Sequence, residues 1–188
     1  MTALALERLA CLRGQRLLFE DLNLTLAPGE GALVTGPNGV GKSSLLRIVA
    51  GLLAPAGGRV VRDGAVALAA EAAALDEEKS LFAALAFWAR LDGQNDETVA
   101  LALAAMGLAR LAQVPVRMLS TGQRRRATIA RVIASGAPIW LFDEPASGLD
   151  AASLDQLAGA MGGHLAAGGI ILAASHQPLG VDLRELAL

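Results

Sequence analysis

The chain has 188 residues, 54% of them hydrophobic and 18% charged, with a formal net charge of −2. That is enough apolar surface for a continuous core, a length suited to one domain over residues 1–188, and too weak a charge bias for a disordered chain. So nearly neutral a chain lacks the basic face of a nucleic-acid binder, and its single cysteine, Cys11, excludes an internal disulfide and is expected to be a small buried residue.

From the N-terminus, residues 1–10 include Glu7 and Arg8 and hold no apolar run long enough for a signal peptide. Leu22 to Leu26 alternates Leu, Asn, Leu, Thr, Leu, the period of a half-exposed strand, and Pro28-Gly29 closes it as a turn. Ala32 to Thr35 is a short apolar strand entering a Gly-rich loop; Ser43 to Ala50 has helical character and Gly51 stops it. Val60-Val61 and Ala65 to Ala69 read as two short strands around Arg62-Asp63-Gly64, which carries an Asp-Gly turn signal. The pattern turns helical and Ala-rich from about Lys79 to Met106, broken at Asp92-Gly93. A helix from Gln123 to Ala134, a buried strand over Ile139 to Phe142, a helix from about Ala151 and a last buried strand over Ile170 to Ala174 follow. The longest stretch without Asp, Glu, Lys or Arg, Gln156 to Val181, holds His164, two Gly pairs and Pro178, and reads as helix, turn and strand rather than a membrane span. Any work at a membrane is therefore expected to go through a partner. Apolar strands alternating with helices predict an α/β fold with a mostly parallel sheet covered on both faces. The helical stretch at about 72–135 is expected as a subdomain inserted into it.

Gly36-Pro37-Asn38-Gly39-Val40-Gly41-Lys42-Ser43 matches G-x-x-x-x-G-K-[ST], after a strand and before a helix as its mechanism demands. The glycines let backbone N–H groups cradle phosphates, and the helix start adds the positive end of its dipole. Lys42 is expected on the β- and γ-phosphates of a nucleotide and the Ser43 hydroxyl on Mg²⁺, with Ser44 the next helical position. This loop alone leaves GTPases, kinases, helicases and transport ATPases open.

Three further segments narrow the choice. Leu119-Ser120-Thr121-Gly122-Gln123 resembles the LSGGQ signature of ABC ATPases, with Thr121 in place of the first glycine. Physically it is a second anion site, because Ser120 caps a helix whose first N–H groups are free. Ile139-Trp140-Leu141-Phe142-Asp143-Glu144 resembles the Walker B motif, an apolar strand that delivers two acids to its C-terminal edge. Asp143 is expected to hold Mg²⁺ through water, and Glu144 to orient and deprotonate the attacking water. Ser147-Gly148-Leu149-Asp150 resembles the D-loop, and His176 stands where that family places its switch histidine. His164 reads as an ordinary structural residue.

The resemblance implies a P-loop ABC cassette with an antiparallel N-terminal β part, ATP and Mg²⁺ as cofactors, and a homodimer in which Ser120, Thr121, Gly122, Gln123 and Asp150 of one chain meet the ATP held by the other. It implies catalytic roles for Lys42, Glu144 and His176. Two departures stand out. Relatives stack an aromatic residue on adenine, whereas the corresponding stretch here is Arg13-Gly14-Gln15-Arg16 and the chain has no Tyr. Arg13 is the candidate for that place, as a planar guanidinium able to stack on a base, or else a solvated loop charge. The Q-loop glutamine is missing too, and Glu71 stands near its place, either as a metal-side ligand or as a solvated acid.

Softer signals lean towards one branch. Residues 9–19, the arginine run Arg124-Arg125-Arg126 after the signature, Phe87-Trp88-Ala89-Arg90-Leu91 and Ser175-His176-Gln177-Pro178-Leu179 are similar to the ATP-binding subunit of the cytochrome c maturation (haem exporter) family. That implies a peripheral subunit on the cytoplasmic face of a bacterial inner membrane, with a multi-span permease and haem-handling membrane proteins as partners. An importer or exporter ATPase for amino acids, lipids or metals is the alternative, with a soluble ABC protein of DNA or ribosomes behind it. No C-x-x-C-H is present, so the chain is not expected to hold haem. Arginines at a helix start oppose its dipole, so Arg124 to Arg126 are expected to face phosphates, acids or the partner.

Overall fold

The computed structural model describes residues 3–70 and 75–188. Strands β1 (Ala3–Arg13), β2 (Arg16–Leu26) and β4 (Gly57–Asp63) form an antiparallel sheet in the order β2-β1-β4. Strands β3 (Gly31–Thr35), β5 (Val66–Ala69), β6 (Ile139–Asp143), β7 (Ile170–Ala174) and β8 (Arg184–Ala187) form a parallel sheet in the order β5-β6-β7-β3-β8. Helix α1 (Lys42–Val49) follows β3, helices α2 (Leu81–Leu91), α3 (Asp96–Ala105) and α4 (Thr121–Ala134) fall between β5 and β6, and α5 (Ala151–Ala166) joins β6 to β7.

The central strands β6 and β7 are apolar because each buries both faces, and successive side chains of a strand point to opposite sides, whereas the edge strand β8 carries Arg184 and Glu185 and is largely exposed. Ile139 and Leu141 of β6, with Ile170, Leu172 and Ala174 of β7, pack with α1 and the antiparallel sheet. Trp140 and Phe142, with Ile171 and Ala173, pack on the other side with the helices α2 to α5. Phe142 is fully buried, and burial of a side chain that size contributes about 1.5–3 kcal/mol. Cys11 is also buried, as expected for a lone small cysteine.

Val60-Val61 and Ala65 to Ala69 lie in β4 and β5 around a turn, as expected, but the two strands do not pair with each other. β4 pairs with β1 and β5 with β6, so the Asp63-Gly64 step passes the chain from one sheet to the other. Gly64 is required there: its φ is 113°, and a Cβ would lie 2.6 Å from Pro138 Cγ. One expectation needs correction: the N-terminal strands are longer than the alternation of Leu22 to Leu26 indicates. Their register shifts near Arg8 and Asp21, which have φ of 48° and 51°, and the bulges interrupt the period-two signal. Arg8 N–H is satisfied across the bulge by Asn23 Oδ1 at 2.9 Å.

His164 fills a structural place, as its context in the sequence suggested. Its ring stacks on Trp140 with centroids 3.7 Å apart, and its Nε2–H donates to Pro138 O at 3.2 Å. Desolvation by burial pushes the imidazole below its ordinary value of 6.5. The unfolded chain therefore binds a proton that the folded chain resists, and stability is full above that value and falls as pH drops below it. Urea unfolding at about pH 7.5 and about pH 5.5 is expected to show this loss, and His164→Phe is expected to flatten that part of the slope while keeping the stack on Trp140.

Candidate active site

Between β3 and α1 the loop turns on Gly36, Gly39 and Gly41, with φ of 135°, 79° and 128°. Side chains cap the other α-helices: Ser80 for α2, Asn95 for α3, Ser120 for α4 and Asp150 for α5. Helix α1 instead starts from Gly41 with no side-chain cap. The first N–H groups of a helix have no helical partner and carry the positive end of its dipole, so this start is shaped for an anion. Phe19 of β2 backs the loop so closely that a Cβ on Gly41 would stand 3.0 Å from its ring. Lys42 is 7% exposed, and its ammonium donates to Gly36 O at 2.7 Å and Pro37 O at 3.3 Å.

The acids arrive from β6, one strand beyond β7, which itself lies beside β3. Ser43 Oγ donates to Asp143 Oδ1 at 3.0 Å. Glu144 has φ of 50°, a left-handed turn rare for a residue with a side chain. Its N–H donates to Ala174 O at 2.8 Å, which ties it to the end of β7. Its carboxylate accepts the His176 N–H at 3.3 Å and lies 3.4 Å from His176 Nε2. That Nε2 is also 3.1 Å from Lys42 Nζ and 2.8 Å from Asn38 Oδ1. Residues 38, 42, 144 and 176 thus meet at the carboxyl ends of three adjacent parallel strands, the edge where open α/β sheets bind ligands.

A cleft of about 230 Å³ over the loop is lined by Leu18, Asn38, Lys42, Ser43, Asp143 and Glu144. A larger hollow of about 650 Å³ shares Ser43, Asp143 and Glu144 with it and reaches Thr121, Arg124 and Arg125 of α4. Among the described residues no group of three or more His, Cys, Asp or Glu forms a metal cage. The Ser43 hydroxyl and the Asp143 carboxylate are hard oxygen donors side by side, which suits a Mg²⁺ that draws its remaining ligands from phosphate and water.

The other expected residues take varied places. Ser44 is half-buried and its hydroxyl bonds to Cys11, whose thiol is pushed up by burial. Ser120 and Gln123 form a reciprocal capping box: Ser120 N donates to Gln123 Oε1 at 2.8 Å and Gln123 N to Ser120 Oγ at 3.3 Å. The Ser120 hydroxyl keeps its own proton to donate, and both Ser120 and Thr121 are exposed while Gly122 is half-buried. Asp150 caps α5 by accepting from Ser153 N at 2.8 Å, and hydrogen bonds from Ser153 hold its carboxyl below the usual range. Arg13 is exposed at the β1–β2 turn, whereas Leu18 lines the cleft. Glu71 lies outside the described residues. The arginine run divides its work: Arg124 pairs with Glu77 at 2.9 Å, while Arg125 and Arg126 reach main-chain carbonyls. Of the run expected to face phosphates, acids or a partner, Arg124 meets an acid, while Arg125 and Arg126 turn inward to carbonyls; Leu18 was not singled out by sequence. Only its position in a strand directed at the loop hinted at it.

Such an edge, with a phosphate loop beside a carboxylate pair, is that of an ATP-hydrolysing ABC cassette. The chain belongs to the ABC transporter family, whose sequence model matches residues 19–147, and within it to the cytochrome c biogenesis ATP-binding export proteins. It is 58% identical to the "Cytochrome c biogenesis ATP-binding export protein CcmA" of Sphingopyxis alaskensis, over 98% of this chain and 96% of the relative. It is 52% identical to the protein of the same name from Zymomonas mobilis, over 98% of this chain and 84% of that one. A solved ATP binding subunit of an ABC transporter shares the fold, with a TM-score of 0.84 at 24% identity over 93% of this chain and 80% of that chain. Members of the family bind and hydrolyse ATP.

Lys42→Ala removes the cation set against the loop and is expected to weaken ATP binding by about tenfold or more in a fluorescent-nucleotide titration. His176→Ala is expected to leave that affinity within about twofold and to lower turnover instead, because its ring lies against the Glu144 carboxylate while Lys42, also beside it, keeps its carbonyl partners Gly36 and Pro37. Equal losses of affinity in the two variants would contradict this division.

Proposed function

We propose that this chain is the ATP-hydrolysing subunit of a membrane complex that exports or delivers haem for c-type cytochrome biogenesis, and that it works as an ATP-sandwiched homodimer on a separate permease. The observation that carries the reading is the convergence of Lys42, Ser43, Asp143, Glu144 and His176 on one sheet edge. The printed names of the relatives at 58% and 52% identity support the cytochrome c assignment. No described helix is long and apolar enough to cross a membrane, which accords with a peripheral subunit at the cytoplasmic face of the inner membrane.

In this mechanism the N-terminus of α1 and Lys42 receive the β- and γ-phosphates, Lys42 exchanging the carbonyls of Gly36 and Pro37 for phosphate oxygens. Ser43 and Asp143 would hold a Mg²⁺, which when bound would supply charge neutralisation for the phosphoryl group in transfer. Glu144, oriented by the His176 N–H, takes a proton from the attacking water, and His176 faces the reacting phosphate. The site is open on one side: the Glu144 and His176 side chains are 35% and 48% exposed. A second copy supplies the missing wall with its Ser120 hydroxyl and the free N–H groups at the start of α4. Leu18 offers the base an apolar contact, with Arg13 a further candidate, and Glu71 remains a candidate near the metal.

Glu144→Gln is expected to keep ATP binding, to lower turnover by about a hundredfold or more, and to accumulate as an ATP-bound dimer in gel filtration while the nucleotide-free chain runs as a monomer. Turnover at the native rate would show that Glu144 is not the base. In a strain carrying only this variant, haem staining of c-type cytochromes is expected to disappear; normal staining would reject the proposed cargo pathway.

A further inference from the structure

Arg125 has its Cα on the first turns of α4 and its guanidinium at the end of β6. Its Nη2 donates to Asp143 O at 2.5 Å and also to Glu144 O, and its Nη1 donates to Ala70 O at 3.1 Å, where β5 ends. A guanidinium is planar, always charged and carries its donors in a fixed fork, so three carbonyls bound to it are held in a fixed relation. Two of the three belong to the pair of residues that bring the acids to the site.

We infer that Arg125 is a positioning residue for hydrolysis, holding the left-handed turn that presents the Glu144 carboxylate; this rests on the reading of Glu144 as the base. Three non-glycine residues among those described have positive φ, and the other two, Arg8 and Asp21, sit at bulges of the antiparallel sheet. At 50° the Glu144 backbone stays left-handed only if its surroundings insist on it. They do so from both ends of the residue. Its N–H is bound by Ala174 O at 2.8 Å, and its carbonyl by Arg125 and by Ser147 N at 3.1 Å. The torsion lies between those anchors, and the carboxylate that departs from it reaches His176 N at 3.3 Å. Arg125 makes none of its described bonds to the phosphate loop, so its removal loosens the acid and spares the groups that receive phosphates. Because the same fork takes Ala70 O, a displacement of Ala70 is felt at Glu144 through one rigid group.

The test uses the full chain as Arg125→Ala, Arg125→Lys and Arg125→Ala in a Glu144→Gln background. Arg125→Ala is expected to lower kcat by about tenfold or more with KM and ATP affinity within about twofold, and Arg125→Lys, with a point charge in place of a fork, to fall between it and the native chain. Added to Glu144→Gln, it should lower the residual turnover no further, because its effect passes through that side chain. Native kcat in Arg125→Ala, a parallel loss of ATP affinity, or a multiplied loss in the double variant would each overturn the inference. If Arg125→Ala does not fold, the kcat-to-KM split of Arg125→Lys decides. Native turnover of Glu144→Gln alone is a different failure, that of the base assignment.

Discussion

The geometry of the site depends on the bare start of α1. A helix normally has its first N–H groups satisfied by a side chain at the N-cap, and four of the helices here follow that habit with Ser80, Asn95, Ser120 and Asp150. At Gly41 the habit is broken, and the helix end is directed at the space over the loop. This arrangement needs support from elsewhere, since a Gly-rich loop brings little packing of its own. It comes from Phe19 behind Gly41, from Leu45, Leu46, Ile48 and Val49 buried along α1, and from Lys42, whose ammonium gathers the carbonyls of Gly36 and Pro37. On the proposed reading the same ammonium also takes the phosphates, so the interaction that shapes the loop and the one that binds the nucleotide use a single group in turn.

The site is also crowded with its own polar partners. His176 Nε2 has Lys42, Asn38 and Glu144 around it within 3.4 Å, and Ser43 holds Asp143. On the proposed reading, phosphates replace contacts already made, and affinity is the difference between two sets of polar interactions. That favours a ligand with several negative oxygens over one with a single anion.

Much of this was legible in the sequence because the signals were local. The phosphate loop between β3 and α1, the acids at the end of β6, the cap at Ser120 and the exact run of β7 each lie within a few consecutive residues. The illegible parts depend on distant partners. β1 is broken by bulges whose repair involves Asn23, fifteen residues away along the chain from Arg8. The Asp63-Gly64 turn is visible in the sequence, but not that it carries the chain from one sheet to the other against Pro138. The charge of the arginine run points to phosphates, acids or a partner; that Arg125 instead finds the carbonyls of Asp143, Glu144 and Ala70 depends on how α4 lies against β5 and β6. Arg13 drew notice because its type could stack on a base, whereas Leu18 holds a place on the cleft wall through the long β2 that the bulges concealed.

The alternation along β6 has a further implication, for which changes of length the chain tolerates. Ile139 and Leu141 face one half of the core and Trp140 and Phe142 the other, so the strand works as a ruler between Pro138 and Asp143. One residue added or lost within it would send both aromatic side chains to the wrong side and at the same time move the acids off Ser43 and His176. Solubility, folding and chemistry are thus tied to one count of residues, and length variation in related chains should gather elsewhere, as at the exposed Asp92-Gly93 corner between α2 and α3.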